Sequence, residues 1–268
     1  MLKPRFVVVS FFSGLKGGTG KSTLASNTAI ALSQALKSNV LLIDLGMDST
    51  ATSSRILGVN PDKHGAADYI NGTVDDVDQV ISRSPVMPSV YVVPPGMLRT
   101  WQLNVDPETT QVRFSNLINH SVMKTVAQAV IIDLPAHMDQ AITVNSLLQS
   151  SIINIVLDYA TYSDSVAQEI DKYFIQPMLL KGFKKIVNIV LNKAIPGLDV
   201  MESKVRSFIH NGEFFVLPMS PIVHYLTSIM KPLIMYSPKG SLADFRIPFD
   251  KYVDTLTKQI KAILTGTY

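Results

Sequence analysis

A glycine-rich run, Ser13-Gly14-Leu15-Lys16-Gly17-Gly18-Thr19-Gly20-Lys21-Ser22-Thr23, separates two segments that require different backbones. Before it, Phe6-Val7-Val8-Val9-Ser10-Phe11-Phe12 is short, β-branched and aromatic, which predicts a strand buried on both faces. After it, Ala25, Ala29, Leu32 and Leu36 recur at helical spacing. The run therefore carries a buried strand directly into a helix N-terminus. Glycines there let backbone N–H groups curl around phosphate oxygens, and the helix dipole adds to the attraction. Lys21 is placed to neutralise the β- and γ-phosphates of a nucleotide and the Ser22 hydroxyl to hold Mg²⁺, with Gly17, Gly18, Thr19, Gly20 and Thr23 completing the loop.

The commonest spacing for such a loop, G-x-x-x-x-G-K-[ST], needs glycine at position 15, where this chain has Leu15. What fits is K-G-G-x-G-K-[ST], in which an extra lysine, Lys16, stands five residues before Lys21. In that wording the loop resembles the ParA/MinD family of ATPases. The resemblance runs from about Phe6 to Leu264 and is weakest over residues 58–115. It implies ATP and Mg²⁺ as ligands, hydrolysis to ADP and phosphate, and a homodimer that closes two nucleotides face to face. Lys16 then has a catalytic role, reaching across to the partner subunit's phosphates.

Later strands place acids where that chemistry needs them. Val40-Leu41-Leu42-Ile43 ends on Asp44, at the edge where open α/β sheets bind ligands. The family resemblance implies D-x-D here, with the second acid orienting the attacking water; this chain has Gly46 instead, so either Asp48 takes its place or hydrolysis is slow until a partner stimulates it. Val130-Ile131-Ile132 ends on Asp133, the arrangement of an acid that holds the Mg²⁺ shell close to Ser22. The following Leu134-Pro135-Ala136 is worded like the second switch of the MinD branch, with His137 where a glycine is usual. Ile186 to Leu191 is a further strand; the resemblance makes Asn192 at its end the reader of the adenine edge, since an amide offers both a donor and an acceptor. Pro218, closing the strand Phe214-Phe215-Val216-Leu217, joins the nucleotide-binding set.

Strands alternating with helices from end to end predict one α/β domain over residues 1–268, a doubly wound, mostly parallel sheet with helices on both faces. Residues 58–85 read as a peripheral helical segment, Phe114 to Ala127 as a helix, and Phe249, Tyr252, Val253, Leu256, Ile260, Ile263 and Leu264 as the core-facing side of a terminal helix. Cysteine is absent, which excludes disulfides and thiolate metal sites. No apolar run reaches the roughly 18 residues that span a bilayer, and no signal peptide opens the chain, so a cytoplasmic location is expected.

The net charge of +3 is unevenly placed: from Lys181 onward twelve Lys and Arg face six Asp and Glu. Lys181, Lys184, Lys185, Lys204, Arg206, Lys231, Arg246, Lys251 and Lys258 are accordingly candidate contacts to an anionic partner. Within the resemblance, that balance favours a ParA-like partition ATPase for a plasmid or chromosome. As an ATP-bound dimer it would bind nucleoid DNA without sequence preference, and a centromere-bound, ParB-like partner that stimulates hydrolysis would release it. The alternative is a MinD-like positioning ATPase on a membrane. Only Thr265-Gly266-Thr267-Tyr268 follow the terminal helix, so no stable membrane anchor is expected.

Overall fold

A computed structural model describes residues 5–14, 16–46, 50–97, 105–136, 141–158, 163–195, 205–208 and 210–268. Strand β1 (Val7–Phe12) leads through the glycine-rich loop into α1 (Lys21–Leu36), and β2 (Val40–Asp44) follows. Two short helices, α2 (Thr52–Ile56) and α3 (Ala66–Ile70), precede the two-residue β3 (Ser82–Arg83) and β4 (Val90–Val93). Then come α4 (Pro107–Thr125), β5 (Ala129–Asp133), α5 (Ala141–Gln149) and β6 (Ile152–Asp158). Helix α6 (Ser163–Ile170) passes through a π-helical turn at Asp171–Ile175 into α7 (Gln176–Leu180). The chain closes with β7 (Ile186–Ala194), β8 (Phe214–Pro218), α8 (Pro221–Ser228) and α9 (Ser241–Thr265).

The strands form one eight-stranded sheet in the order β3-β4-β2-β5-β1-β6-β7-β8, with β3 antiparallel to β4 and the other pairs parallel. Alternation along β1 divides the core. Val7, Val9 and Phe11 face α1 and α9, whereas Val8 and Phe12 face α3, α4, α5 and α6. Central strands buried on both sides need no polar face, which is why β2 and β5 read as apolar runs up to their final Asp and β1 is interrupted only by Ser10. Because parallel strands share one carboxyl edge, the loops after β1, β2, β5, β6 and β7 open on the same rim. Position 44 lies in register with 133, and 158 with 192.

Helix α1 is buried along most of its length, between the sheet and α9, and cannot be amphipathic. Its polar positions fold back on the helix: Ser26 Oγ donates to the Ser22 carbonyl at 2.9 Å and Asn27 Nδ2 to the Thr23 carbonyl at 2.8 Å. Two expected elements differ. The helix expected from Phe114 begins at Pro107, because Asp106 caps it by accepting from Thr109 N at 2.8 Å and Pro107 is preorganised for a first turn. Residues 58–85, expected to be helical, hold only α3, a 3₁₀ turn at Val77–Gln79 and β3. The acids there pin the segment to α4: Asp75 pairs with Arg113 and Asp78 with Lys124, each at 2.5 Å.

Lys185 is not a surface cation. It is 4% exposed, and its amine donates to the Leu148 and Ser150 carbonyls, each at 2.6 Å, at the C-terminal end of α5. Burial pushes its pKa down to about 8 from the ordinary 10.5. The neutral amine still has protons for both carbonyls, whereas the charged form must be desolvated. Between about pH 8 and 10.5 the unfolded chain holds the proton that the folded chain has released, so folding stability rises with pH in that window. Melting the parent beside Lys185→Met should show the parent gaining on the variant from pH 7.5 to 10.5, by up to about 3 kcal/mol at about 1.4 kcal/mol per unit. A constant difference would show that the amine keeps its proton.

Candidate nucleotide site

The glycine-rich loop turns at the carboxyl end of β1. Ser13 starts the turn: its hydroxyl donates to the Lys16 carbonyl at 2.8 Å and its own carbonyl accepts from Lys16 N at 3.3 Å. Gly20 enters α1 in a left-handed conformation, φ 89°, and a Cβ there would stand 2.3 Å from Asn192 Nδ2. Only glycine satisfies both constraints. Residues Lys16 to Thr23 then line a cleft of about 830 Å³ together with Gly46, Thr50, Thr52, Pro135, Asn192, Lys193, Pro218, Met219, His224 and Thr227.

The two lysines of the loop are each held by an acid from a neighbouring strand end. Lys21 Nζ lies 2.8 Å from Asp133 Oδ1, and Asp133, 1% exposed, takes the Ser53 hydroxyl on Oδ2 at 2.9 Å. Lys16 Nζ lies 2.5 Å from Asp158 Oδ1 at the tip of β6. Asp44 sits beside Asp133 with both oxygens engaged: Oδ1 accepts from Gly46 N at 3.0 Å, and Oδ2 from Ser54 N at 3.0 Å and Ser54 Oγ at 2.7 Å. Burial and the neighbouring Asp133 charge raise the Asp44 pKa, against those hydrogen bonds. In this state Asp44 braces the segment after β2. Asp48 lies outside the described residues, as does His137.

On the other side of the loop Asn192 Nδ2 donates to the Thr19 carbonyl at 2.8 Å, and Lys193 Nζ to the Gly18 carbonyl at 2.5 Å. Both therefore shape the phosphate loop from β7. Lys193 adopts φ 58° just where the β7–β8 register shifts, between Leu191 and Ala194. Pro218, with Met219 and His224, lines the cleft alongside Asn192.

The donors that would receive Mg²⁺ are hard oxygens, the Ser22 hydroxyl and the Asp133 carboxylate, and Asp133 already holds a cation, the Lys21 amine. Among the described residues no group of three or more His, Cys, Asp or Glu could cage a metal. The site fits an ion that keeps water and phosphate oxygens as its other ligands, which is how Mg²⁺ is bound in nucleotide sites.

The expected nucleotide-binding residues thus lie together, with Lys193 on Gly18, Asp158 on Lys16 and Ser53 on Asp133. Asp158 ends an apolar strand just as Asp44 and Asp133 do, a signal present in the sequence. The remaining basic candidates scatter. Lys181, Lys184, Arg206, Lys231, Lys251 and Lys258 are exposed, and Lys204 is outside the described residues. The Arg206 guanidinium lies over the Phe214 ring at 4.2 Å. Arg246 is half-buried, donating to the Ile234 and Tyr236 carbonyls at 3.3 and 3.4 Å and to Asp250 at 3.2 Å.

Solved structures repeat this architecture. The septum site-determining protein MinD with Mg-ADP from Pyrococcus horikoshii OT3 is 23% identical over 95% of this chain and 98% of its own, with a TM-score of 0.72. The ParA family ATPase from Chlorobium tepidum TLS is 21% identical over 94% and 100%, TM-score 0.70. A putative plasmid partition protein from Borrelia burgdorferi B31 bound to AMPPNP is 16% identical over 94% and 99%, TM-score 0.71. No curated protein matches the sequence. Residues 10–218, from the middle of β1 through Pro218, match the CobQ/CobB/MinD/ParA nucleotide binding domain, and the chain belongs to that family.

Proposed function

We propose that the chain is an ATPase of the partition type: it binds ATP with Mg²⁺, dimerises around the nucleotide, attaches to DNA without sequence preference, and leaves when a ParB-like partner stimulates hydrolysis. The pair of lysines carries this reading. A single phosphate site is served by Lys21 alone, whereas Lys16, at the mouth of the same cleft, is a second cation for phosphates brought face to face.

Entry of a triphosphate gives Lys21 a stronger anion than Asp133, and the amine transfers to the β- and γ-phosphates. Asp133 Oδ1 is then released from the Lys21 amine. Ser22 and Asp133 would hold Mg²⁺, which would supply neutralisation of the charge on the β- and γ-phosphate oxygens. Asn192 and Lys193 hold the loop carbonyls of Thr19 and Gly18 outward, which turns the N–H groups of the loop toward the phosphates. Among the described residues water-orienting acid is scarce: Gly46 stands where the second acid is usual, Asp44 is committed to Gly46 and Ser54, and Asp48 lies outside them. Slow turnover until a partner acts follows from that shortage.

DNA attachment rests on the exposed Lys181, Lys184, Arg206, Lys231, Lys251 and Lys258, which a dimer doubles. A second reading, attachment to an anionic membrane, is favoured by one feature: Leu180 is 84% and Phe183 42% exposed, alternating with Lys181 and Lys184, in the turn before β7 at the sheet end opposite the cleft. Among the described residues no helix is long and apolar enough to cross a membrane. Co-sedimentation with duplex DNA and with anionic liposomes, under ATP, ADP and no nucleotide, separates the two. The expected result is DNA binding with ATP only, similar for unrelated sequences and falling steeply with salt. Lys181→Glu with Lys184→Glu should weaken it. Capture by liposomes and not by DNA at low salt would replace partition with membrane positioning.

A further inference from the structure

A serine of α2, outside the glycine-rich motif, touches the Asp133 carboxylate. Ser53 is fully buried in the first turn of α2, and its hydroxyl donates to Asp133 Oδ2 at 2.9 Å while Lys21 occupies Oδ1 at 2.8 Å. Its neighbour Ser54 makes the equivalent bond to the other acid, donating from Oγ to Asp44 Oδ2 at 2.7 Å. The turn that presents both hydroxyls is held in an uncommon shape, with Ala51 left-handed at φ 50°. Asp44 and Asp133 are register partners on adjacent strands, so two buried carboxylates stand side by side and each is oriented by its own serine.

We propose that Ser53 is a positioning residue for magnesium: it fixes Asp133 through Oδ2 so that Oδ1, once Lys21 has moved to the phosphates, faces the cation. The inference rests on the nucleotide reading given above. Mg²⁺ demands near-ideal octahedral geometry, and a carboxylate free to rotate meets that demand poorly. Partners that orient a ligand in this way typically contribute about 10–100-fold in metal affinity. The same bond ties the segment following β2 to the occupant of Asp133, so the cation and that segment would share one side chain.

The test is ADP binding by calorimetry on the full chain, in EDTA and along a Mg²⁺ titration, for the parent, Ser53→Ala, Ser53→Thr and Ser54→Ala. Ser53→Ala should bind ADP in EDTA as the parent does, while the Mg²⁺ concentration giving half of the tightening rises about 10–100-fold. Ser53→Thr, which keeps the hydroxyl, and Ser54→Ala, which unloads Asp44 instead, should stay near the parent. Three outcomes overturn the proposal: Ser53→Ala within about twofold of the parent in its Mg²⁺ dependence, an equal shift in Ser54→Ala, or loss of ADP binding by Ser53→Ala in EDTA, each of the last two making the serine a support of α2 alone. A parent that binds ADP no tighter with Mg²⁺ overturns the site reading itself and this proposal with it.

Discussion

Lys21→Ala is expected to lose nucleotide binding, with ATP and ADP both weakened by about 100-fold or more. The amine is the only part of that side chain with chemistry at the cleft floor, and it sits 2.8 Å from a carboxylate that is 1% exposed. Truncating one partner of a desolvated charged contact costs about 2–5 kcal/mol, and 1.4 kcal/mol is tenfold in affinity. The variant should also melt lower without nucleotide, because Asp133 and Asp44 would then share their corner with Ser53 and Ser54 as hydroxyl donors but without the Lys21 charge. Calorimetry with ATP and ADP, beside thermal melts of the empty protein, checks both parts. Affinity near that of the parent would mean that Lys21 stays on Asp133 and the phosphates bind elsewhere.

The sheet and the loop were legible because their signals are local. A strand buried on both faces must be largely apolar, and a phosphate loop needs glycine where backbone turns left-handed, so Val7–Phe12 and Gly20 declare themselves. Asp133 was legible for the same reason, as an acid ending an apolar strand. Ser53 was not: nothing in Thr52-Ser53-Ser54 distinguishes which hydroxyl meets which acid until β2 and β5 are paired in register. Lys193 was hidden by the expectation attached to Asn192, although the two adjoin and clasp successive carbonyls of the same loop.

The basic residues show the limit from the other side. A count of charges assigns them a surface, yet Lys185 is drawn inward by two carbonyls that α5 leaves open at its end, and Arg246 is spent on the turn before α9. Sequence position carries no information about which lysine finds an orphaned carbonyl. The helix from Pro107 was similarly obscured, since its first two turns carry few apolar residues and its start is marked by a cap, Asp106-Pro107, rather than by periodicity.

Lys16 and Asp158 are expected to move dimerisation in opposite directions. Lys16→Ala should bind ATP as the parent does and sediment as a monomer, because in the proposed dimer the residue lost would serve the partner's phosphates while its own loop keeps Lys21. Asp158→Asn removes a charge that holds Lys16 within its own subunit, so the same ATP should drive dimerisation at lower protein concentration. A hydrogen bond to a charged group contributes about 1.5–3 kcal/mol; with the Lys16 side chain 29% exposed, solvent screening lowers that value. An advantage of about tenfold in dimerisation is the corresponding expectation. Sedimentation velocity with ATP, ADP and no nucleotide measures both variants. If Lys16→Ala dimerises as readily as the parent, the amine does not cross the interface; if only Asp158→Asn matches the parent, the pair is no restraint and the lysine reaches its partner without first being released.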